Sequence, residues 1–207
     1  MLTLYRADGT CALASHLALE LAGAQYDVIS LDFGKQEQRS PAYLEVNPKG
    51  RVPALATDRG VITETPAILL YIAQAHPQAQ LAPLQDAFAL AKVNEFNSYL
   101  CATVHVNHAH KRRGARWADD ERAHESMRAK VAQNMADCFA LIERAMFEGP
   151  WVMGSQLTIC DPYLFTLAGW LEGDGVDIQR FPKVAQHYTR MQDDARVRKV
   201  IKPRSAA

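Results

Sequence analysis

The stretch "VPALATDRGVITETPAILLYIAQA", residues 52–75, decides the fold. Two short apolar runs meet at Asp58-Arg59-Gly60, a turn signal, and so read as a pair of adjacent strands. Pro53 stands at the entrance of the first run. Proline cannot donate to a strand ladder, so it marks an edge or a special turn. An X-Pro bond is also where a cis peptide costs little. A cis bond would turn the N–H and C=O of Val52 outward to pair with an extended peptide; an ordinary loop proline is the other reading. The remainder, "TPAILLYIAQA", reads as a helix with Thr65 as N-cap and Pro66 at the first helical position.

Toward the N-terminus, "LTLY" (2–5) is a strand, "CALASHLALELAG" (11–23) a helix ending on Gly23, and "YDVISLDF" (26–33) a strand. In the last, Tyr26 and Val28 share one face, while Ile29, Leu31 and Phe33 crowd the other. Residues 34–50, "GKQEQRSPAYLEVNPKG", read as a loop. The order β-α-β, loop, β-β-α implies a mixed sheet with helices packed on it, not a bundle. Toward the C-terminus, "HPQAQLAP" (76–83) lacks periodicity and reads as connector. Strand signals then fade. A helix over 86–110 turns Leu90, Val93, Phe96, Leu100 and Val104 inward. Met127, Val131, Met135, Cys138, Ile142 and Met146 mark one face of another. Segments 158–171 and 183–192 supply later helices. The expected architecture is α/β plus all-α: one domain over 1–77, a linker over 78–86 and a helical domain over 87–207.

Composition bounds the function. The chain has 207 residues, 48% of them hydrophobic, and a formal net charge of 0. That supports a sizeable core and offers no general attraction to nucleic acid or an anionic membrane. No window reaches the ~18 uninterrupted apolar residues of a spanning helix, and the N-terminus does not read as a signal peptide. The 4 cysteines, Cys11, Cys101, Cys138 and Cys160, are dispersed without a CxxC. Dispersed thiols fit a reducing, cytoplasmic compartment.

Three features carry chemistry. Cys11 lies in the first turn of a helix, where the macrodipole and free N–H groups favour a thiolate. Free cysteine is also among the most buried residue types, so a packing role fits the position too. Ala14 stands where a second cysteine would complete a dithiol. Glu64 and Thr65 precede a helix, where a carboxylate and a hydroxyl can hold an α-amino acid head group; plain capping would need only Thr65. The segment "HVNHAHKRRGARW" (105–117) gathers His105, His108 and His110 with basic residues. It reads as a solvated helix end, a metal site lacking a fixed carboxylate or thiol, or a basic mouth attracting an anionic substrate. The acidic "ADDERAHE" that follows argues against a nucleic-acid patch. Thr158-x-x-Asp161 is a capping-box pattern with a structural role. Cys101, Cys138 and Cys160 read as packing.

"TCALASHLALELAG", "NPKGRVPAL" and "TETPAILLYIA" together resemble the N-terminal domain of bacterial cytosolic glutathione transferases, closest to the beta class, and the resemblance extends over nearly the whole chain. It implies a thioredoxin-like first domain that binds glutathione and a helical second domain. By this resemblance Cys11 lies beside the glutathione sulfur, with Thr10 and His105 stabilising the thiolate and Tyr5 helping to hydrogen-bond it. Val52, before cis-Pro53, pairs with glutathione's cysteinyl backbone. Glu64 and Thr65 clamp the γ-glutamyl end, Lys35 meets the glycyl carboxylate, and Ser98 stands where some members place an asparagine that reaches the partner subunit's glutathione. His108, Trp117 and Trp170 border the electrophile. Ala12 and Val106 depart from the serine and lysine usual at their positions. The implied activity is conjugation of glutathione to small, largely apolar electrophiles, a detoxification chemistry. It uses no cofactor beyond the co-substrate glutathione, no metal, nucleic acid or membrane, and runs in a cytoplasmic homodimer. The alternatives are a thiol–disulfide oxidoreductase working through a Cys11 mixed disulfide, and a ligand-binding module without turnover.

Overall fold

The computed structural model describes residues 1–201 and divides into two units, Met1–Leu90 joined by the chain from Met191 onward, and Ala91–Arg190. In the first unit, strand β1 (Leu2–Arg6) runs parallel to β2 (Tyr26–Ser30), and helix α1 (Ala12–Leu21) makes the crossover between them. β3 (Ala54–Thr57) pairs antiparallel with β1, and β4 (Gly60–Thr63) antiparallel with β3, in the order β2-β1-β3-β4. Helix α3 (Thr65–Ala75) packs beside α1. Leu4, Leu17, Leu19, Leu55, Ile68, Leu69 and Ile72 are fully buried. Each contributes about 2 kcal/mol by leaving water. Thus a mixed sheet with helices packed on it is what the pattern of residues 52–75 requires.

Four features of this unit differ from the sequence expectation. The span 34–50 is not all loop: helix α2 (Pro41–Val46) forms there, with Tyr43 N–H donating to the Ser40 hydroxyl at 3.2 Å and Pro41 in its first turn. Ser-Pro is a helix-start signal, but six residues are too few to show a 3.6-residue period. β2 stops at Ser30. It is an edge strand whose Asp27, Ile29 and Ser30 are exposed, so only one neighbour sustains it. The N-cap of α3 is Glu64 rather than Thr65, which is the first helical residue and is buried. Finally, the chain after Met191 does not stay with the helical domain expected over 87–207. Helix α9 (Ala195–Ile201) packs on α1. Lys199 Nζ sits 2.6 Å from Glu20 Oε1, and the Tyr26 hydroxyl donates to Glu20 Oε2 at 2.9 Å. Partial burial would raise the Glu20 carboxyl pKa, but these two hydrogen bonds and the Lys199 charge outweigh it and hold the group below its ordinary range.

The second unit is helical among its described residues. The division falls within α4 (Ala87–Tyr99), which continues through a π-helical turn over Leu100–Val104 into α5 (His105–Ala109). Val93, Phe96, Leu100 and Val104 are buried as the periodicity requires, whereas Leu90 is half-buried. α6 (Glu121–Leu141) buries Val131, Met135 and Cys138. α7 (Cys160–Ala168) is buried along its whole length, and α8 (Pro182–Asp193) packs Val184 and His187 inward. At the start of α7 the capping box forms. Asp161 Oδ2 accepts from Thr158 N–H at 2.6 Å and from the Thr158 hydroxyl at 3.1 Å. Its Oδ1 accepts from Val152 N–H at 2.9 Å and lies 3.0 Å from His187 Nε2. Burial, together with the Asp161 charge, pushes the neighbouring Cys160 thiol well up. Cys160 Sγ donates to the Val93 carbonyl at 3.6 Å, so this thiol is a packing group.

Candidate functional site

The first unit gathers one group of residues around Val52. The carbonyl of Arg51 is clamped by two donors, the Tyr43 hydroxyl at 2.6 Å and Asn47 Nδ2 at 2.7 Å. Burial raises the Tyr43 phenol pKa, keeping it a donor. The chain then turns through the cis Val52-Pro53 bond, and the ladder with β1 begins only at Ala54. Val52 therefore lies outside the sheet pairing. Its carbonyl faces Cys11, whose Sγ donates to it at 3.8 Å. Cys11 is the residue before α1, only 8% exposed. Thr10 is committed to the backbone: its hydroxyl donates to the Ala7 carbonyl at 2.7 Å and accepts from Ala12 N–H at 3.3 Å. Tyr5, in β1, has its ring 5.6 Å from that of Tyr43.

Glu64 links β4 to α3 with φ +71°. A non-glycine residue there is uncommon and costs about 1–3 kcal/mol. Its exposed carboxylate pairs with Lys49 at 2.6 Å, and Lys49 also donates to the Thr63 hydroxyl at 2.8 Å. Lys49 is a residue that sequence reasoning passed over. It lies inside the "NPKGRVPAL" stretch, and its position three residues before Val52 was the only signal. Lys35, by contrast, is exposed and lies 3.6 Å from Asp32.

The second unit holds a separate aromatic and histidine group. The Trp170 ring stacks on His108 at 4.2 Å and 23°, and meets His105 edge-on at 5.1 Å. Behind His108 lies Asp174, whose side chain is fully buried. His108 Nδ1 sits 2.6 Å from Asp174 Oδ2, and Lys111 Nζ donates to Oδ1 at 3.3 Å. Asp174 gave no sequence signal, because "LEGDG" reads as a polar turn. Trp117 does not join the Trp170 stack. It is 45% exposed and packs on His110 at 4.4 Å. Ser98 is exposed on α4, while its neighbour Asn97 is buried with both side-chain amide atoms lacking a partner among the described residues. Among the described residues, no three His, Cys, Asp or Glu side chains are grouped to hold a metal. No described helix is long and apolar enough to cross a membrane.

A mixed four-stranded sheet with a thiol beside a cis-proline turn, followed by a helical unit, defines a thioredoxin-like protein with a helical extension. Comparison with known proteins narrows that class. Residues 1–74 match the glutathione S-transferase N-terminal domain, and residues 108–204 the C-terminal domain. A glutathione transferase homologue from Sulfitobacter, solved with bound glutathione, is 43% identical and superposes with a TM-score of 0.94 over 97% of this chain and 96% of that one. A bacterial beta class glutathione S-transferase from Sphingomonas chungbukensis is 28% identical, with a TM-score of 0.83 over 97% of each chain. Glutathione S-transferase GstA of Escherichia coli is 28% identical over 96% of each. The chain belongs to the glutathione S-transferase family.

Proposed function

We propose that this protein conjugates glutathione to small electrophiles. The observation that carries the reading is the placement of the Cys11 thiol against the carbonyl of Val52, a backbone group left outside the sheet ladder at the cis turn. An extended thiol peptide laid along Val52 would bring its own sulfur beside Cys11. The bound glutathione in the 43% identical Sulfitobacter homologue supports this assignment.

In this reading, Val52 and Pro53 hold glutathione's cysteinyl backbone, and the start of α3 at Glu64 and Thr65 holds its γ-glutamyl end. Lys49 joins that end, neutralising Glu64 until the ligand's ammonium replaces it. Lys35 reaches the glycyl carboxylate, and Ser98, exposed on α4, is directed to the glutathione of a partner subunit. Within the first unit, Cys11, Thr10 and Tyr5 stabilise the thiolate; Thr10 acts mainly by fixing the turn that presents Cys11. His108, Trp170 and Trp117 take the electrophile side. Four free cysteines support a reducing cytoplasmic setting, and a homodimer is the expected assembly.

The test is a glutathione-binding titration followed by conjugation assays on wild type and Cys11→Ser. The transferase reading expects saturable glutathione binding, thioether product, and product formation that persists in Cys11→Ser at a reduced rate. Reduction of glutathione mixed disulfides that vanishes in Cys11→Ser, with no thioether from any electrophile, would instead make the protein an oxidoreductase. Binding without either reaction would leave a ligand-binding module.

A further inference from the structure

We propose that His108, oriented by Asp174, donates a proton to electrophiles that become oxyanions when a thiolate adds to them, namely oxiranes and α,β-unsaturated carbonyls. This rests on the reading that the protein conjugates glutathione and that His108 borders the electrophile.

Asp174 anchors the group. Its N–H donates to the carbonyls of Trp170 at 3.0 Å and Leu171 at 2.9 Å, so the backbone fixes the residue. Its carboxylate is fully buried and meets two groups, His108 Nδ1 and Lys111 Nζ. A carboxylate only accepts, so Nδ1 of His108 carries the hydrogen. That settles the tautomer and leaves Nε2 as the nitrogen that binds or releases a proton. Nε2 makes no hydrogen bond among the described residues, and the side chain is 28% exposed. The ring face is fixed as well, stacked 4.2 Å from Trp170. Two independent contacts therefore hold one imidazole in one orientation. The charged and titratable groups around it are Asp174 at Nδ1, Lys111 on the other oxygen of Asp174, His105 on the same indole, and Arg128 of α6, whose Nε donates to the Lys111 carbonyl at 3.2 Å.

A fixed proton carrier suits only some glutathione acceptors. When a halide leaves an aromatic ring, the departing anion needs no proton. When an oxirane opens, the alkoxide does. In that step the thiolate electron pair forms the C–S bond, the C–O bond breaks, and its pair goes to oxygen. The oxygen takes the proton from Nε2, and His108 becomes neutral with Nδ1–H still on Asp174. Solvent then reprotonates Nε2. For an α,β-unsaturated carbonyl, the π electrons move to the carbonyl oxygen, and the same proton converts the enolate to an enol that ketonises. His108 is thus a catalytic residue and Asp174 a positioning residue.

The experiment compares styrene oxide with a chlorodinitrobenzene on wild type, His108→Ala and Asp174→Asn, with thermal melts to confirm folding. His108→Ala should lower kcat for styrene oxide about 100-fold and lower turnover of the chloroarene by a much smaller factor, the part owed to the lost ring beside the electrophile. Added imidazole should restore styrene oxide turnover in His108→Ala, a rescue that a packing role would not permit. Asp174→Asn, which keeps an acceptor but loses the charge, should depress styrene oxide kcat by a smaller factor. Equal losses on both substrates, a change confined to KM, or no rescue by imidazole would overturn the proposal. If wild type conjugates the chloroarene but not styrene oxide, this inference fails and the transferase reading stands. If it conjugates neither, both fall.

Discussion

The second unit builds the same pair twice and uses it differently. At the start of α7, Asp161 meets His187; in the turn after α7, Asp174 meets His108. Both carboxylates are fully buried. The difference lies in the imidazoles. His187 is fully enclosed, ringed edge-on by Phe147 at 5.6 Å and Trp151 at 5.9 Å. His108 keeps part of its ring in solvent. The partners differ too. Asp161 also receives Val152 and Thr158, which close the helix start. Asp174 receives Lys111, a side chain that is itself partly exposed. The two carboxylate–imidazole pairs therefore differ in whether the imidazole is open to solvent, His108 being partly exposed and His187 fully enclosed. Residue type alone does not decide it.

The largest effect should come from breaking the enclosed pair. Asp161→Ala leaves His187 and three donors around an empty carboxylate site, and should lower unfolding free energy by about 3–5 kcal/mol, measured by denaturant titration. Asp174→Asn retains most of the contacts of the open pair and should cost less, about 1–3 kcal/mol, while its catalytic effect is read separately. If Asp174→Asn proved as destabilising as Asp161→Ala, the distinction between the two pairs would collapse. The smallest effect concerns an ion pair outside both. Glu20 has its carboxyl pKa held below the usual 4.5 in the folded state. Its stabilisation is present above that value and is lost as pH falls through the lower folded pKa. Glu20→Gln should remove about 1 kcal/mol at neutral pH and little once pH has fallen below the lowered folded pKa, visible as a flatter dependence of thermal midpoint on pH.

Much of the first unit was legible because its signals are local. The turn at Asp58-Arg59-Gly60, Gly23 after α1 and Pro66 in the first turn of α3 each specify backbone geometry within a few residues. The Thr158-x-x-Asp161 box was readable for the same reason. What escaped depends on distant parts of the chain. The role of Lys49 is set by Glu64, fifteen residues on, and that of Asp174 by His108 and Lys111, more than sixty residues back. Neither pairing leaves a mark on its own neighbourhood. The one-residue shift of the α3 cap arose because Glu64 adopts φ +71°, where sequence preference favours glycine. The capture of α9 by α1 was invisible because "ARVRKVI" advertises a helix but not its neighbour.

That capture sets an order of events during synthesis. Helix α1 leaves the ribosome early, yet its neighbour α9 follows only after the whole of Ala91–Arg190 has been made. Until then, Glu20 lacks Lys199 and part of the α1 surface faces water. The thiol-bearing unit is therefore the first to be translated and the last to be completed, and a nascent chain halted before Met191 would present an unfinished α1 to whatever binds apolar helices.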